Sequence, residues 1–150
     1  MLFAYDLDGT LVDNKAAVEL AYRLAGANPP EGFFGKPWHT WLDNDLIHRA
    51  KTDIYLTDDA VGNMIRRRWL CKLYDAKPGP ILTGASPVSG AFTLYKASLE
   101  VKGPIYYGQS REAKLALLQK LGMVGVWFDD DPLMCEMVKR ELSGWQAVQV

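Results

Sequence analysis

The chain lacks the features that would mark several large classes of protein. Neither sign of charge dominates: 17 basic and 18 acidic side chains among 150 residues leave a formal net charge of -1. A nucleic-acid binder held by bulk electrostatics is not expected, because that mode of binding needs a strongly basic surface. Arg66, Arg67 and Arg68 form one short basic cluster. On a helix, three successive residues fan around most of the circumference, which suits a solvated face with one phosphate-facing arginine better than a DNA patch. Cysteine is scarce, with only Cys71 and Cys135, each in an apolar stretch and without the spacing of a zinc site or a disulfide framework. Both read as reduced core residues. The two histidines, His39 and His48, have no metal-ligand partner at useful spacing. No run approaches the ~18 apolar residues of a membrane span, and no basic region followed by a signal-like apolar stretch opens the chain. A cytoplasmic protein with no membrane partner is the expectation.

What is present suits a folded domain, since 49% of residues are hydrophobic and a chain of ~150 residues can bury ~68–70% of its unfolded surface around one core. Leu2 to Tyr5 is short, apolar and β-prone, and stops at a polar turn as a buried parallel strand does. Asn14 can cap a helix that runs through Val18, Ala21 and Leu24 to Gly26. Trp38, Trp41 and Leu42 fall at i, i+3 and i+4, which predicts a short helix. Thr57 with Asp58 and Asp59 predicts a helix start, and Val61, Ile65, Trp69 and Leu73 carry that helix to about Tyr74. Strands are predicted at 80–83, 103–108, 124–128 and 145–150, with helices opening at Ser86-Pro87, Ser110 and Pro132 between them.

Strands alternating with helices predict an α/β fold, a doubly wound parallel five-stranded sheet covered on both faces. Ligands in such sheets sit at the carboxyl ends of the strands. The polar residues just after each strand are then Asp6 and Asp8, Thr83, the 102–114 region, and Asp129 to Asp131. Asp, Gly and Thr all suit turns, so the run Asp6 to Thr10 could be structural alone. Two acidic clusters on one sheet edge would repel strongly without a hard cation between them, and Mg2+, with its oxygen ligands and retained waters, is the natural occupant.

At these residues the sequence resembles the haloacid dehalogenase (HAD) superfamily of phosphohydrolases. FAYDLDGTLVD is similar to its first motif, ILTGAS to its second, the lysine of SREAKLALL to its third, and VWFDDD to its fourth, in order across nearly the whole chain. The resemblance implies a HAD-like Rossmannoid domain over 1–150. Asp6 is then the nucleophile that takes the phosphoryl group, and Asp8 the general acid and base. A carboxylate at a metal stays ionised and can attack phosphorus, whereas one that cycles a proton must sit off the metal and near the leaving group. The resemblance implies that Asp8, if it meets the metal, does so through its backbone carbonyl, leaving its side chain free. Thr83, Gly84, Gly9 and Thr10 are expected to contact the phosphoryl group, with Gly84 allowing close backbone approach. Lys114 would neutralise the gathered charge. Lys102 competes for that role but precedes its strand and so falls at the wrong end of the sheet. Asp130 is the expected metal ligand of the fourth motif, with Asp129 second and Asp131 a helix cap whose loss should be nearly silent.

Larger relatives insert a helical cap between the first two motifs, and the space here, about residues 14–75, allows a small one. Trp38, His39 and Trp41 could stack on a substrate ring or pack a core. A magnesium-dependent phosphomonoesterase acting on a small phosphorylated metabolite or nucleotide is the leading expectation, with a nucleic-acid 3′-phosphate as another substrate of the same catalytic face. The alternatives are a phosphotransferase or mutase using the same aspartyl phosphate, a signalling receiver domain, and a non-catalytic phosphate-binding module. A receiver places its phosphorylated aspartate after a different strand from its acidic pair, whereas here both acids follow the first strand. Oligomeric state is not legible.

Overall fold

The structure, a computed structural model, describes residues 1–24, 26, 31, 32 and 65–150. The chain forms β1 (Leu2–Tyr5), β2 (Val12–Asp13), α1 (Lys15–Leu24), β3 (Ile65–Arg66), α2 (Arg68–Ala76), β4 (Ile81–Leu82), α3 (Pro87–Lys96), β5 (Ile105–Tyr106), α4 (Arg111–Leu121), β6 (Gly125–Asp129), α5 (Pro132–Glu141) and β7 (Trp145–Gln149). Five strands make one sheet in the order β5-β4-β1-β6-β7, every neighbouring pair parallel. The expected α/β doubly wound sheet is therefore present.

Alternation along each strand divides the core into two layers. Tyr5, Ile81, Val126 and Phe128 point to one face, where they meet Ala17 and Ala21 of α1 and Leu70 and Tyr74 of α2. Ala4, Leu82 and Trp127 point to the other, against Leu118 of α4 and Met134 and Val138 of α5. Period-two side chains on a strand leave no other choice when both faces are covered. Each fully buried large side chain contributes roughly 1.5–3 kcal/mol of transfer free energy, and Trp127, Tyr5, Tyr74, Leu70 and Leu118 are all in that state. On the first face Tyr5 stacks on Phe128 at 5.2 Å and meets Tyr74 edge-on at 5.1 Å, geometries that suit the ring quadrupoles.

Helix ends follow the sequence signals closely. Ser86 and Ser110 accept the N–H of Ser89 and Ala113, and Asp131 accepts that of Leu133, so all three helices begin where a capping side chain precedes a permissive first turn. The N-terminal strand, the helix after Asn14 and the last three elements agree with expectation within a residue or two.

One prediction fails. The continuous helix from Thr57 to Tyr74 does not extend through Ile65, because Ile65 and Arg66 pair antiparallel with Asp13 and Val12, and the helix begins only at Arg68. The four-residue repeat picked out the wrong face: Ile65 and Trp69 are exposed, whereas Leu70, Cys71 and Tyr74 are buried. Backbone pairing to β2 overrode a local helical pattern, as tertiary context routinely does. The arginine cluster is split by the same event, with Arg66 in β3, Arg67 at the helix cap and Arg68 inside α2. The expected helix at Trp38, Trp41 and Leu42, both histidines, and most of the proposed cap at 14–75 lie outside the described residues.

Candidate active site

The sheet changes direction at β1. The chain runs outward through β4 and β5 on one side, then crosses to β6 and β7 on the other, so the order reverses at β1, whose carboxyl end is where ligands bind in doubly wound sheets. Register fixes what lies there. Tyr5 pairs with Phe128 and the Asp6 N–H donates to the Phe128 carbonyl at 2.9 Å, which sets Asp6 beside Asp129. Carboxylate oxygens of Asp6, Asp129 and Asp130 all lie within 4.8 Å of one another. At that separation, like charges repel by on the order of 3 kcal/mol per pair at an effective dielectric near 20.

Lys114 answers part of that charge. It is buried on the first turns of α4, its Nζ 2.8 Å from Asp6 Oδ1 and 3.6 Å from Asp129 Oδ2, and 5.5 Å from the centre of the Trp127 ring. Burial alone would depress the ammonium's pKa, but Asp6, Asp129 and Asp130 outweigh it and the net shift is upward. One cation does not satisfy three carboxylates. Burial, with Asp129 and Asp8 nearby and against the pull of Lys114, pushes Asp6 up to about 7, and burial with Asp6 and Asp129 pushes Asp130 up to about 8. Asp129 is raised as well, chiefly by burial. Asp129 Oδ2 is fully buried yet accepts no hydrogen bond among the described residues. A buried carboxylate oxygen that has Lys114 at 3.6 Å but no hydrogen bond, close to two further carboxylates, belongs to a donor set that suits a hard divalent cation such as Mg2+.

The turn between β1 and β2 holds this arrangement. Thr10 is fully buried, its hydroxyl donating toward Asp6 Oδ2 at 3.3 Å and Asp130 Oδ1 at 3.4 Å and accepting the Asp130 N–H at 3.1 Å. Thr10, expected as a phosphate contact, here ties the first-strand loop to the sixth-strand loop. Gly9 has φ +79°, and a Cβ there would stand 2.3 Å from an Asp130 carboxylate oxygen. Its role is to make room for Asp130. Gly84 is exposed beside Thr83, and a Cβ would meet only the Gln109 carbonyl at 3.5 Å.

Asp8 faces differently from Asp6. Its carboxylate accepts the Asn14 side-chain N–H and, at 3.3 Å, the Thr83 hydroxyl, so the side chain stands apart from the three clustered acids and beside the second motif. Thr83 is fully buried and also accepts the Ala85 N–H at 3.1 Å. Lys102 is paired with Asp75 at 2.9 Å.

Three contributors were missed in the sequence. Arg111 pairs with Asp131; its place three residues before Lys114, hence on the same helix face, was the available signal. Asn14, read as a helix cap, reaches Asp8. Arg67 donates from Nε to the Thr10 carbonyl at 3.1 Å and from Nη2 to the Gly9 carbonyl at 2.9 Å, gripping the turn. Only long-range pairing of β3 with β2 puts it there.

No protein-family model matches the sequence, and a search of curated proteins finds no significant relative. Solved structures do match over essentially the whole chain. A putative beta-phosphoglucomutase from Thermotoga maritima has a TM-score of 0.61 at 18% identity, covering 100% of this chain and 87% of that one. A HAD-superfamily hydrolase of subfamily IA from Geobacter sulfurreducens has a TM-score of 0.60 at 16% identity, covering 99% and 88%. A phosphatase from Thermococcus thioreducens has a TM-score of 0.61 at 14% identity, covering 100% and 92%. At such identities the likeness is one of fold.

Proposed function

We propose that this chain, whose fold is that of the HAD superfamily, is a magnesium-dependent phosphomonoesterase working through an aspartyl phosphate on Asp6. The observation that carries this is the division of labour among acids at one strand end. Asp6 is clustered with Asp129 and Asp130, one of whose buried oxygens accepts no hydrogen bond among the described residues, while Asp8 is held by the neutral partners Asn14 and Thr83.

A bound Mg2+ would be held by Asp6, Asp129 and Asp130, with the Asp8 backbone carbonyl as a further ligand, and would supply Lewis-acid stabilisation of the phosphoryl oxygens. The remaining chemistry belongs to the chain. A carboxylate oxygen of Asp6 attacks phosphorus as the bond to the leaving oxygen breaks, and Asp8 gives that oxygen its proton. Water then attacks the acyl phosphate, its proton passes to Asp8, the bond from phosphorus to Asp6 breaks, and inorganic phosphate leaves. Lys114 offsets negative charge gathering at Asp6, and Thr83 can turn its hydroxyl from Asp8 to a phosphoryl oxygen.

The substrate we assign is a small phosphorylated metabolite or nucleotide, with a nucleic-acid 3′-phosphate as an alternative using the same catalytic face, and a cytoplasmic setting belongs to the same proposal. No helix among the described residues is long and apolar enough to cross a membrane. Similarity to a putative mutase keeps transfer to an organic acceptor as the second fate of the aspartyl phosphate. Phosphate release from p-nitrophenyl phosphate should require Mg2+, stop with EDTA and fall with Ca2+, whose larger shell tolerates a second oxygen of Asp6 and so blocks attack. Full activity in chelator contradicts the proposal.

A further inference from the structure

Two charged pairs cross the gap between α4 and the end of β6, one behind the other. The inner pair is Lys114 with Asp129, and the outer is Arg111 with Asp131 through Nε and Oδ2. Arg111 and Lys114 share a face of α4, one turn apart. The two pairs are tied together by Asp131. Its N–H donates to Asp129 Oδ1 at 2.9 Å while its Oδ1 accepts the Leu133 N–H at 3.0 Å, so one residue steadies Asp129, starts α5 and holds Arg111.

Exposure separates their tasks. The Lys114 and Asp129 side chains are 10% and 1% exposed, and on the function proposed above both would exchange partners as metal and phosphate come and go. Arg111 is 42% exposed and Asp131 16%, and an ion pair with one partner so open to water adds little to global stability. What such a pair can do is keep a distance. We infer that Arg111 is a positioning residue: its bond to Asp131 keeps α4, and with it Lys114, in register with Asp129 and Asp130 while the charge inside the site changes. This replaces the expectation that Asp131 is a plain cap whose loss is nearly silent, because its carboxylate also holds Arg111. This inference rests on the metal-dependent reading above.

The test is magnesium binding without substrate, followed as the rise in Tm on titration, for the wild-type chain, Arg111→Met, Arg111→Lys, Asp131→Asn and the Arg111→Met/Asp131→Asn double variant. Asn caps a helix as well as Asp does, so Asp131→Asn removes the charge and spares the cap; should Arg111→Met fail to fold, it carries the test alone. Either single change should raise the Mg2+ concentration at half-saturation by about tenfold with little change in the metal-free Tm. Arg111→Lys should recover most of the loss, and the double variant should be no worse than a single one. Half-saturation within about twofold of wild type, or single effects that multiply in the double variant, overturns the inference. A wild-type chain that ignores Mg2+ overturns the metal reading itself, and this inference with it.

Discussion

Gly9 illustrates how a residue with no side chain can govern a proposed metal ligand. Its positive φ is a conformation that L-residues enter at roughly 1–2 kcal/mol, and the space a Cβ would fill holds the Asp130 carboxylate. The protein could relieve the overlap of Gly9→Ala only by moving Asp130, the flexible partner. We expect that variant to lose about 1–2 kcal/mol of stability while its Mg2+ half-saturation rises by about tenfold or more. Urea melts and a magnesium titration measure the two effects separately. Unchanged metal affinity would detach Asp130 from the ion and leave Asp6 and Asp129 as the ligands. Thr10 and Arg67 act on the same turn from opposite sides, one through its hydroxyl and one through two backbone carbonyls.

Among the elements, α4 matters most to the site because it delivers both Lys114 and Arg111. Its seating depends on Leu118, fully buried against Ala4, Leu82, Trp127 and Met134. Leu118→Ala should cost about 2–5 kcal/mol in a denaturant melt and also slow turnover, because Lys114 lies one turn away. A loss under about 0.5 kcal/mol would mean that α4 is held by something other than this face. The elements legible in the sequence were those whose caps, turns and apolar faces are local: β1, α1, β4, β5, α3 to α5, β6 and β7. The short strands β2 and β3 were not, since each has two residues and exists only through its partner some fifty positions away. Asp6, Asp8, Thr83, Lys114, Asp129 and Asp130 were legible as polar residues at the start of turns or helices after apolar strands. The contacts of Asn14, Arg67 and Arg111 depend on side-chain reach between elements, for which periodicity carries no signal.

For the molecule as a whole, the buried acids tie stability to pH. Burial pushes Asp6 up to about 7 and Asp130 up to about 8, above the ~4 of an unfolded carboxylate. Between about pH 4 and 8 the native state therefore binds more protons than the unfolded one, and metal-free stability must fall as pH rises. The favourable contribution is complete below the unfolded values and gone above the native ones. The ammonium of Lys114 titrates outside this window and does not alter the sign. EDTA-treated protein should thus melt at higher temperature at pH 5 than at pH 8, whereas the increment gained on adding Mg2+ should be larger at pH 8, where the ligands are ionised. A metal-free Tm that climbs from pH 5 to pH 8 contradicts the picture of an overcharged, under-compensated cluster.

Whether Asp6 carries the phosphoryl group is the central claim, and a covalent intermediate tests it most directly. Acid-quenched single-turnover reactions with a 32P-labelled phosphomonoester should leave label on the protein that is stable in acid, released by hydroxylamine and located by peptide mapping at Asp6. Asp6→Asn should leave no label and lower turnover by several decades, with its circular dichroism unchanged. Label on any other residue, or more than about a tenth of wild-type turnover in folded Asp6→Asn, would contradict the account.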